Sequence, residues 1–154
     1  MQWGGVGAQR RRSPPRGLSP VIVGVGVDLV HIARIRRAME RWQERFLDRV
    51  FTPDEVAYAR RRRDPAEHLA ARFAAKEATL KALGTGLTMG VRWREMEVRR
   101  PRGERPRLAL SGRTAELGAA RGVRSLHVSL THDGEYAMAQ VLAEGESAGA
   151  GERP

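Results

Sequence analysis

The amino-acid sequence predicts an α+β fold, in which a small antiparallel sheet packs with a long central helix. Residues 21–27 (VIVGVGV) form a β-branched run that is typical of a buried strand. Residues 64–83 contain no helix breaker after Pro65, and Gly84 follows them as a stop signal. Two strand-like runs flank Asp133-Gly134, a strong signal for a β-hairpin. Strands at both ends of the chain and helices between them favour α+β over a doubly wound sheet.

The remaining elements follow from local signals. After Asp28, apolar residues recur with helical spacing and predict a helix along one face. Thr52-Pro53-Asp54-Glu55 has the pattern of a capping box and predicts a helix to about Arg62. Asp64-Pro65-Ala66-Glu67 repeats this pattern at the start of the long helix. Short strands are predicted over 95–100 and 106–110, and Ser111 is predicted to cap a helix that ends at Arg121.

The length of 154 residues suits a single domain. Residues 1–20 are rich in glycine, proline, serine and arginine, and we expect a disordered tail there. The same expectation applies to residues 144–154, so the folded domain is predicted to span 21–143. The chain contains no apolar run of about 20 residues and no apolar signal-peptide core, which favours a cytoplasmic protein without a membrane segment.

The composition restricts the chemistry without choosing a partner. There is no cysteine, which excludes disulfides and thiol catalysis. The formal net charge is +10, from 28 lysine and arginine residues against 18 acids. Arginine suits phosphate and carboxylate partners, so nucleic acid, a polyphosphate ligand and an acidic protein all remain open. The arginine runs 10–12 and 60–63 lack interleaved aromatic residues, which gives little support to base stacking.

Several polar residues stand where a site is often built, and each has a plainer explanation. Asp28 follows a predicted strand, but it also suits a helix N-cap. Glu77 and Lys81 are four residues apart on a helix that is apolar on several sides; they either form a surface ion pair or line a cleft. Lys76 falls inside the apolar stripe of the same helix, which is unusual for a solvated charge. His132, at the hairpin, is either a solvated turn residue or a group that contacts phosphate.

Three segments together resemble the bacterial holo-acyl-carrier-protein synthases, members of the 4′-phosphopantetheinyl transferase superfamily. They are Gly24-Val25-Gly26-Val27-Asp28, the helix segment Arg72-Phe73-Ala74-Ala75-Lys76-Glu77-Ala78 with Lys81 to Gly86, and His127-Val128-Ser129-Leu130-Thr131-His132. They occur in the family's order and span about 21–142. The resemblance implies a 4′-phosphopantetheinyl transferase-like fold.

The resemblance also implies a site. Asp28 and Glu77 would bind Mg²⁺, as expected for an ion that takes one or two carboxylates together with phosphates and water. The coenzyme A substrate would lie against residues from the second and third segments, which are Arg72, Lys81, Gly84, Gly86, Thr131 and His132. The catalytic set would be Asp28, Glu77, Lys81 and His132. The implied reaction transfers 4′-phosphopantetheine to a serine of an apo acyl carrier protein, in fatty acid or polyketide biosynthesis, and releases adenosine 3′,5′-bisphosphate.

The resemblance further implies that an acidic carrier protein docks on the helix after Asp28. The docking residues would be Arg34, Arg37 and Arg41, with Arg45 and Phe46 held more loosely. The family's members form trimers with sites between subunits, so a homotrimer is expected, and nucleic acid is not an expected partner. Two other functions stay open on the residues alone. One is a basic RNA- or DNA-binding protein, and the other is a regulatory module that binds coenzyme A without transferring anything.

Overall fold

A computed structural model describes residues 19–146. Along the chain, the helices and strands in this part are β1 (Pro20–His31), α1 (Ile32–Val50), α2 (Pro53–Arg60), α3 (Pro65–Leu83), β2 (Met96–Arg99), β3 (Arg107–Leu110), α4 (Gly112–Ala120), β4 (Val123–Asp133) and β5 (Tyr136–Glu146). A short 3₁₀ turn, Trp93–Glu95, precedes β2. Within this part of the chain, no helix has the length and apolar character needed to cross a membrane.

The main sheet is antiparallel with the strand order β1-β5-β4, and β2 pairs with β3 in a separate two-stranded sheet. The predicted hairpin is present, but its loop lies one residue further along than Asp133-Gly134. Asp133 pairs with Tyr136, so Gly134 and Glu135 form the loop, with Gly134 at φ 55°. Strand β5 extends to Glu146, three residues into the segment predicted to be a tail. Residues 1–18 and 147–154 of the predicted tails lie outside the described residues.

The helix signals in the sequence are mostly confirmed. Thr52 and Glu55 form the predicted capping box of α2, and Gly84 ends α3 in the left-handed conformation. Ser111 stands at the predicted N-cap position of α4, but its side chain makes no capping hydrogen bond. Instead, Oε2 of Glu95 accepts hydrogen bonds from the backbone N–H of Thr114 at 3.0 Å and from its hydroxyl at 2.8 Å.

Strand β1 is only half buried in the single chain, which corrects the prediction of a buried strand. Helix α3 covers the face of β1 that carries Gly24 and Gly26. On the other face, Val25, Val27 and Leu29 are 54%, 51% and 60% exposed. The core lies between α3 and the inner face of the sheet, where small residues of α3 meet the alanines of β5. The sequence predicted an apolar strand but not that only one of its faces would be covered.

Candidate active site

Two glycines of β1 allow the site to form. A Cβ atom built on Gly24 would lie 2.0 Å from the carbonyl oxygen of Ala82, and one on Gly26 would lie 1.8 Å from that of Ala78. Both distances are far below van der Waals contact, so the β1 and α3 backbones touch directly. On α3, the residues at this contact are alanines, whose small side chains also let the two backbones come close. This close packing brings Asp28, at the end of the Gly-x-Gly-x-Asp segment, beside the last turns of α3.

Lys81 of α3 makes direct contact with this part of β1. Its Nζ donates hydrogen bonds to Oδ1 of Asp28 at 2.9 Å and to the carbonyl oxygen of Val27 at 2.8 Å. The Asp28 side chain is 17% exposed and that of Lys81 is 53% exposed. Lys81 therefore pairs with a carboxylate of a different element, and not with Glu77 on the preceding turn of its own helix.

Glu77 is electrostatically coupled to the same pair. Partial burial raises the pKa of Glu77, and the negative charge of Asp28 raises it further. The cations of Lys81 and Arg34 act in the opposite direction on this pKa. Two carboxylates and an ammonium therefore share one small region of the surface, which we call the carboxylate cluster (Asp28, Glu77 and Lys81).

The donor chemistry of the carboxylate cluster fits a magnesium ion. Carboxylate oxygens are hard ligands, and Mg²⁺ is commonly held by one or two of them while phosphates and water complete its shell. Among residues 19–146, no group of three or more histidine, aspartate or glutamate side chains forms a metal cage. A site with two protein carboxylates thus suits an ion that arrives with a phosphorylated substrate. Gly84 and Gly86, just beyond Lys81, have open space around them in which a ligand can approach.

His132 belongs to a second group of side chains. Its Nδ1 lies 3.0 Å from Oε1 of Glu67, in the first turn of α3. The His68 ring lies 6.2 Å from the His132 ring and 5.9 Å from that of Tyr58. Burial lowers the pKa of His68, and the charge of Arg72 lowers it further. Thr131 is exposed beside His132 on β4.

Arg72 is a buried member of this second group. Its side chain is 2% exposed, and its guanidinium carbon lies 4.0 Å from the centre of the Tyr58 ring. The guanidinium of Arg62 lies 4.4 Å from the same ring. The Arg72 Nε is buried without a hydrogen-bond partner, and Arg72 lines a cavity of about 280 Å³ with Arg61 and Arg100. We call Tyr58, Arg62, Glu67, His68, Arg72 and His132 the basic cluster.

A single chain keeps the two clusters apart. Glu67, which contacts His132, and Glu77 are ten residues apart on α3, which corresponds to about 15 Å along the helix. Of the predicted residues, Asp28, Glu77 and Lys81 therefore meet towards the end of α3 and His132 lies at its start, with Arg72 midway between Glu67 and Glu77.

The unusual position of Lys76 has a structural explanation. Its Nζ lies 2.7 Å from Oε2 of Glu55, and both side chains are fully buried. The ammonium also donates to the carbonyl oxygens of Val50 and Trp93, at 2.8 and 3.1 Å. Burial lowers the pKa of Lys76, and the charge of Glu55 opposes this effect. Lys76 therefore joins four segments of the chain internally, and it is not part of the carboxylate cluster.

The predicted docking helix presents its arginines to solvent. Arg34, Arg37 and Arg41 are all exposed on α1. The Arg34 guanidinium lies 5.8 Å from the centre of the Phe73 ring, and Arg41 lies over Trp42 at 4.9 Å. The helical backbone is interrupted just after this stretch, at Gln43, where φ is 46°. Because Arg34 also acts on the pKa of Glu77, the arginine surface borders the carboxylate cluster.

Comparison with known proteins decides the family. The 4′-phosphopantetheinyl transferase superfamily matches residues 24–141, a stretch that includes both clusters. The chain belongs to this superfamily. A superfamily relative from Syntrophotalea carbinolica, a holo-acyl-carrier-protein synthase, is 50% identical over 127 residues that cover 82% of this chain and 98% of the relative. The predicted family and enzyme class, a phosphopantetheinyl transferase, are confirmed.

Solved structures of the superfamily confirm the predicted fold. The crystal structure of the holo-acyl-carrier-protein synthase from Neisseria meningitidis has a TM-score of 0.73 at 29% identity and covers 80% of this chain and 98% of that chain. The synthase from Helicobacter pylori, crystallised in complex with coenzyme A, has a TM-score of 0.69 at 30% identity. It covers 77% of this chain and 98% of that chain.

Sequence reasoning missed two acids in this region. Glu55 and Glu67 both stand at the third position of a helix, after Thr52 and Asp64, and this pattern suggested only helix capping. Glu55 caps α2 and also neutralises Lys76, whereas Glu67 contacts His132. No local signal separates these roles, because each partner is distant in sequence.

Proposed function

We propose that this protein transfers 4′-phosphopantetheine from coenzyme A to a serine of an apo acyl carrier protein. The serine oxygen forms a bond to the β-phosphorus, and the bond from that phosphorus to the bridging oxygen breaks. The products are the holo carrier protein and adenosine 3′,5′-bisphosphate, and the serine proton passes to a base. Support comes from the relatives, which are holo-acyl-carrier-protein synthases, and from the coenzyme A complex of one of them.

The observation that carries the proposal is the carboxylate cluster. Phosphoryl transfer needs charge stabilisation and positioning more than covalent chemistry from the protein. Asp28 and Glu77 would hold Mg²⁺, which supplies charge neutralisation at the pyrophosphate when bound. Lys81 would donate to a phosphate oxygen at the same place, since its three N–H groups and its exposure leave it free to turn from Asp28.

The nucleotide end of coenzyme A suits the basic cluster. Arg72 supplies a buried cation with an unused N–H, and Thr131 and His132 offer exposed polar groups on β4. For the serine proton, our first candidate is Glu77 or a water molecule held by Asp28, and the second is His132. Gly84 and Gly86 would border the bound nucleotide.

A homotrimer with sites between subunits explains two features together. One coenzyme A molecule would use the carboxylate cluster of one chain and the basic cluster of its neighbour, which are separated within a single chain. The outer face of the sheet is also apolar and exposed, with Val25, Val27 and Leu29 on β1 and Met138 on β5. Contiguous apolar surface of this kind is typical of an interface between subunits.

Carrier docking on α1 follows from charge and position. Helix α1 carries six arginines and three acidic residues, so its net charge is positive and attracts an acidic protein. Arg34 connects this surface to the carboxylate cluster. A carrier that docks on α1 would bring its serine towards Glu77.

The direct test is mass spectrometry of an apo acyl carrier protein incubated with this protein, coenzyme A and Mg²⁺, with EDTA in a parallel sample. We expect a mass gain of one phosphopantetheine unit that EDTA prevents and that the Asp28→Ala variant does not produce. A gain that persists in EDTA would refute the metal assignment. No gain with several carriers, together with coenzyme A binding, would favour a regulatory module.

Two variants test the surfaces separately. Arg34→Glu should raise the KM for the carrier and leave that for coenzyme A nearly unchanged, whereas Arg121→Glu at the end of α4 makes the same charge change away from α1. Val27→Lys should reduce the oligomer mass measured by light scattering and reduce transfer with it. A monomeric wild-type protein with full activity would refute the shared site.

A further inference from the structure

Glu67 is a partly buried carboxylate to which the proposed reaction gives no role. It stands at the third position of α3, where the glutamate of a capping box would bond back to the N-cap. In α2, Glu55 does this, and its Oε2 accepts from the N–H of Thr52 at 3.0 Å. In α3, Asp64 caps the helix by accepting from the N–H of Ala66 at 3.1 Å, and Glu67 makes no such bond.

Glu67 instead reaches a strand 65 positions further along the chain. Its Oε1 lies 3.0 Å from Nδ1 of His132, and its Oε2 lies 4.0 Å from Nε2 of His68. The Glu67 side chain is 28% exposed and that of His132 is 46% exposed. The carboxylate is therefore screened less than at an open surface, while the far edge of the His132 ring remains accessible to a ligand.

A carboxylate on one nitrogen of an imidazole decides what the other nitrogen presents. Because Nδ1 of His132 lies 3.0 Å from Oε1 of Glu67, a proton on Nδ1 would be held there, the ring would keep this orientation, and Nε2 would be the nitrogen left for a ligand. Without the carboxylate, the ring of a half-exposed histidine at a strand end can rotate and exchange its two nitrogens. A side chain that is already ordered binds and acts better than a mobile one, because it loses less conformational entropy when the ligand binds.

We infer that Glu67 is a positioning residue that orients His132, so that Nε2 faces the nucleotide phosphates of coenzyme A in the basic cluster. The inference rests on the proposed function for the identity of the ligand. It requires that Glu67 act through His132 and make no contact with the substrate itself. Glu67, at the third position of α3, would then act on His132 and not as part of the helix cap.

The first test is a double-mutant cycle on the full-length protein. Glu67→Ala and His132→Gln should each raise the KM for coenzyme A roughly ten-fold, the effect expected when a charge-assisted hydrogen bond is lost. The double variant should be no worse than either single one, because both changes remove the same contact. Additive losses would overturn the inference. Glu116→Ala, which removes an exposed carboxylate from α4, is the matched control and should leave KM unchanged.

The second test observes the ring directly and needs no turnover. In ¹⁵N NMR of the imidazole nitrogens, with His132 assigned by the His132→Gln variant, we expect a protonated Nδ1 in the wild type and loss of this signature in Glu67→Ala. Glu67→Gln keeps an acceptor oxygen and should restore much of the signature and of the KM. An unchanged Nδ1 signal in Glu67→Ala would overturn the inference. Absence of transfer by the wild type, with the Nδ1 signature present, would refute the proposed function and leave the Glu67–His132 contact established.

Discussion

Replacing Lys81 by methionine separates two roles of this side chain, which are its contact with Asp28 in the free protein and its proposed contact with phosphate in the reaction. In the structure, Nζ of Lys81 donates to Oδ1 of Asp28 at 2.9 Å and to the carbonyl oxygen of Val27 at 2.8 Å. A divalent cation that binds Asp28 must displace this ammonium. We therefore expect Lys81→Met to bind the cation more tightly when coenzyme A is absent, although the variant should transfer phosphopantetheine more slowly.

The size of the effect follows from the exposure of the pair. Lys81 is 53% exposed and Asp28 is 17% exposed, so solvent screens the attraction in part. Exposed ion pairs contribute about 0.2–1 kcal/mol, and the partly buried Asp28 places this one towards the upper end. The affinity for the cation should consequently rise roughly two- to five-fold.

The assay is a titration with Mn²⁺ followed by electron paramagnetic resonance, with isothermal calorimetry for Mg²⁺. Arg34→Met is the matched control, because Arg34 acts on Glu77 through its charge but has no hydrogen bond to Asp28. It should raise the affinity less than Lys81→Met does. Coenzyme A should also strengthen cation binding more in the wild type than in Lys81→Met, since the phosphates draw Lys81 away from Asp28 and the coupling is reciprocal.

Two results would refute this reasoning. Unchanged or weaker cation binding by Lys81→Met would show that the ammonium does not compete for Asp28. An equal gain in Arg34→Met would show that only the net charge of the region matters and that the hydrogen bond to Asp28 does not.

Three further predictions concern the scaffold. Lys76→Met should lower the free energy of unfolding in urea by about 3–5 kcal/mol, because it leaves the Glu55 carboxylate buried without its cation, and a loss below about 1 kcal/mol would contradict this account. Gly26→Ala should lower the thermal midpoint and weaken Mn²⁺ binding, because its Cβ would collide with the Ala78 carbonyl, and unchanged binding would show that the two backbones need not touch. Burial lowers the pKa of His68, so the folded state binds fewer protons than the unfolded state, and stability should decrease as the pH falls from about 6.5 through the lower folded-state pKa. His68→Gln should flatten that part of a pH series of urea unfolding curves, and an unchanged slope would count against the assignment.

Many of the helix boundaries could be predicted from short stretches of the sequence. The capping box at Thr52, the capping side chain of Asp64 and the glycine at position 84 act through hydrogen bonds within four residues, so their helices were predicted almost to the residue. The N-cap position of α4 was also predicted at Ser111, but the side chain that accepts the capping hydrogen bonds was not. Glu95, which accepts them, lies 19 residues before Thr114, and no pattern near Ser111 indicates it.

The sequence by itself determined the family, the α+β class and which carboxylates to examine, because the Gly-x-Gly-x-Asp segment and the helix around Glu77 form a specific combination of short motifs. Only the tertiary structure decided which charges meet. It paired Lys81 with Asp28, buried Lys76 against Glu55 and placed Glu67 on His132, at separations of 53, 21 and 65 residues. Charged side chains carry no local signal for a distant partner, and these contacts depend on how α3 packs against β1, α2 and β4.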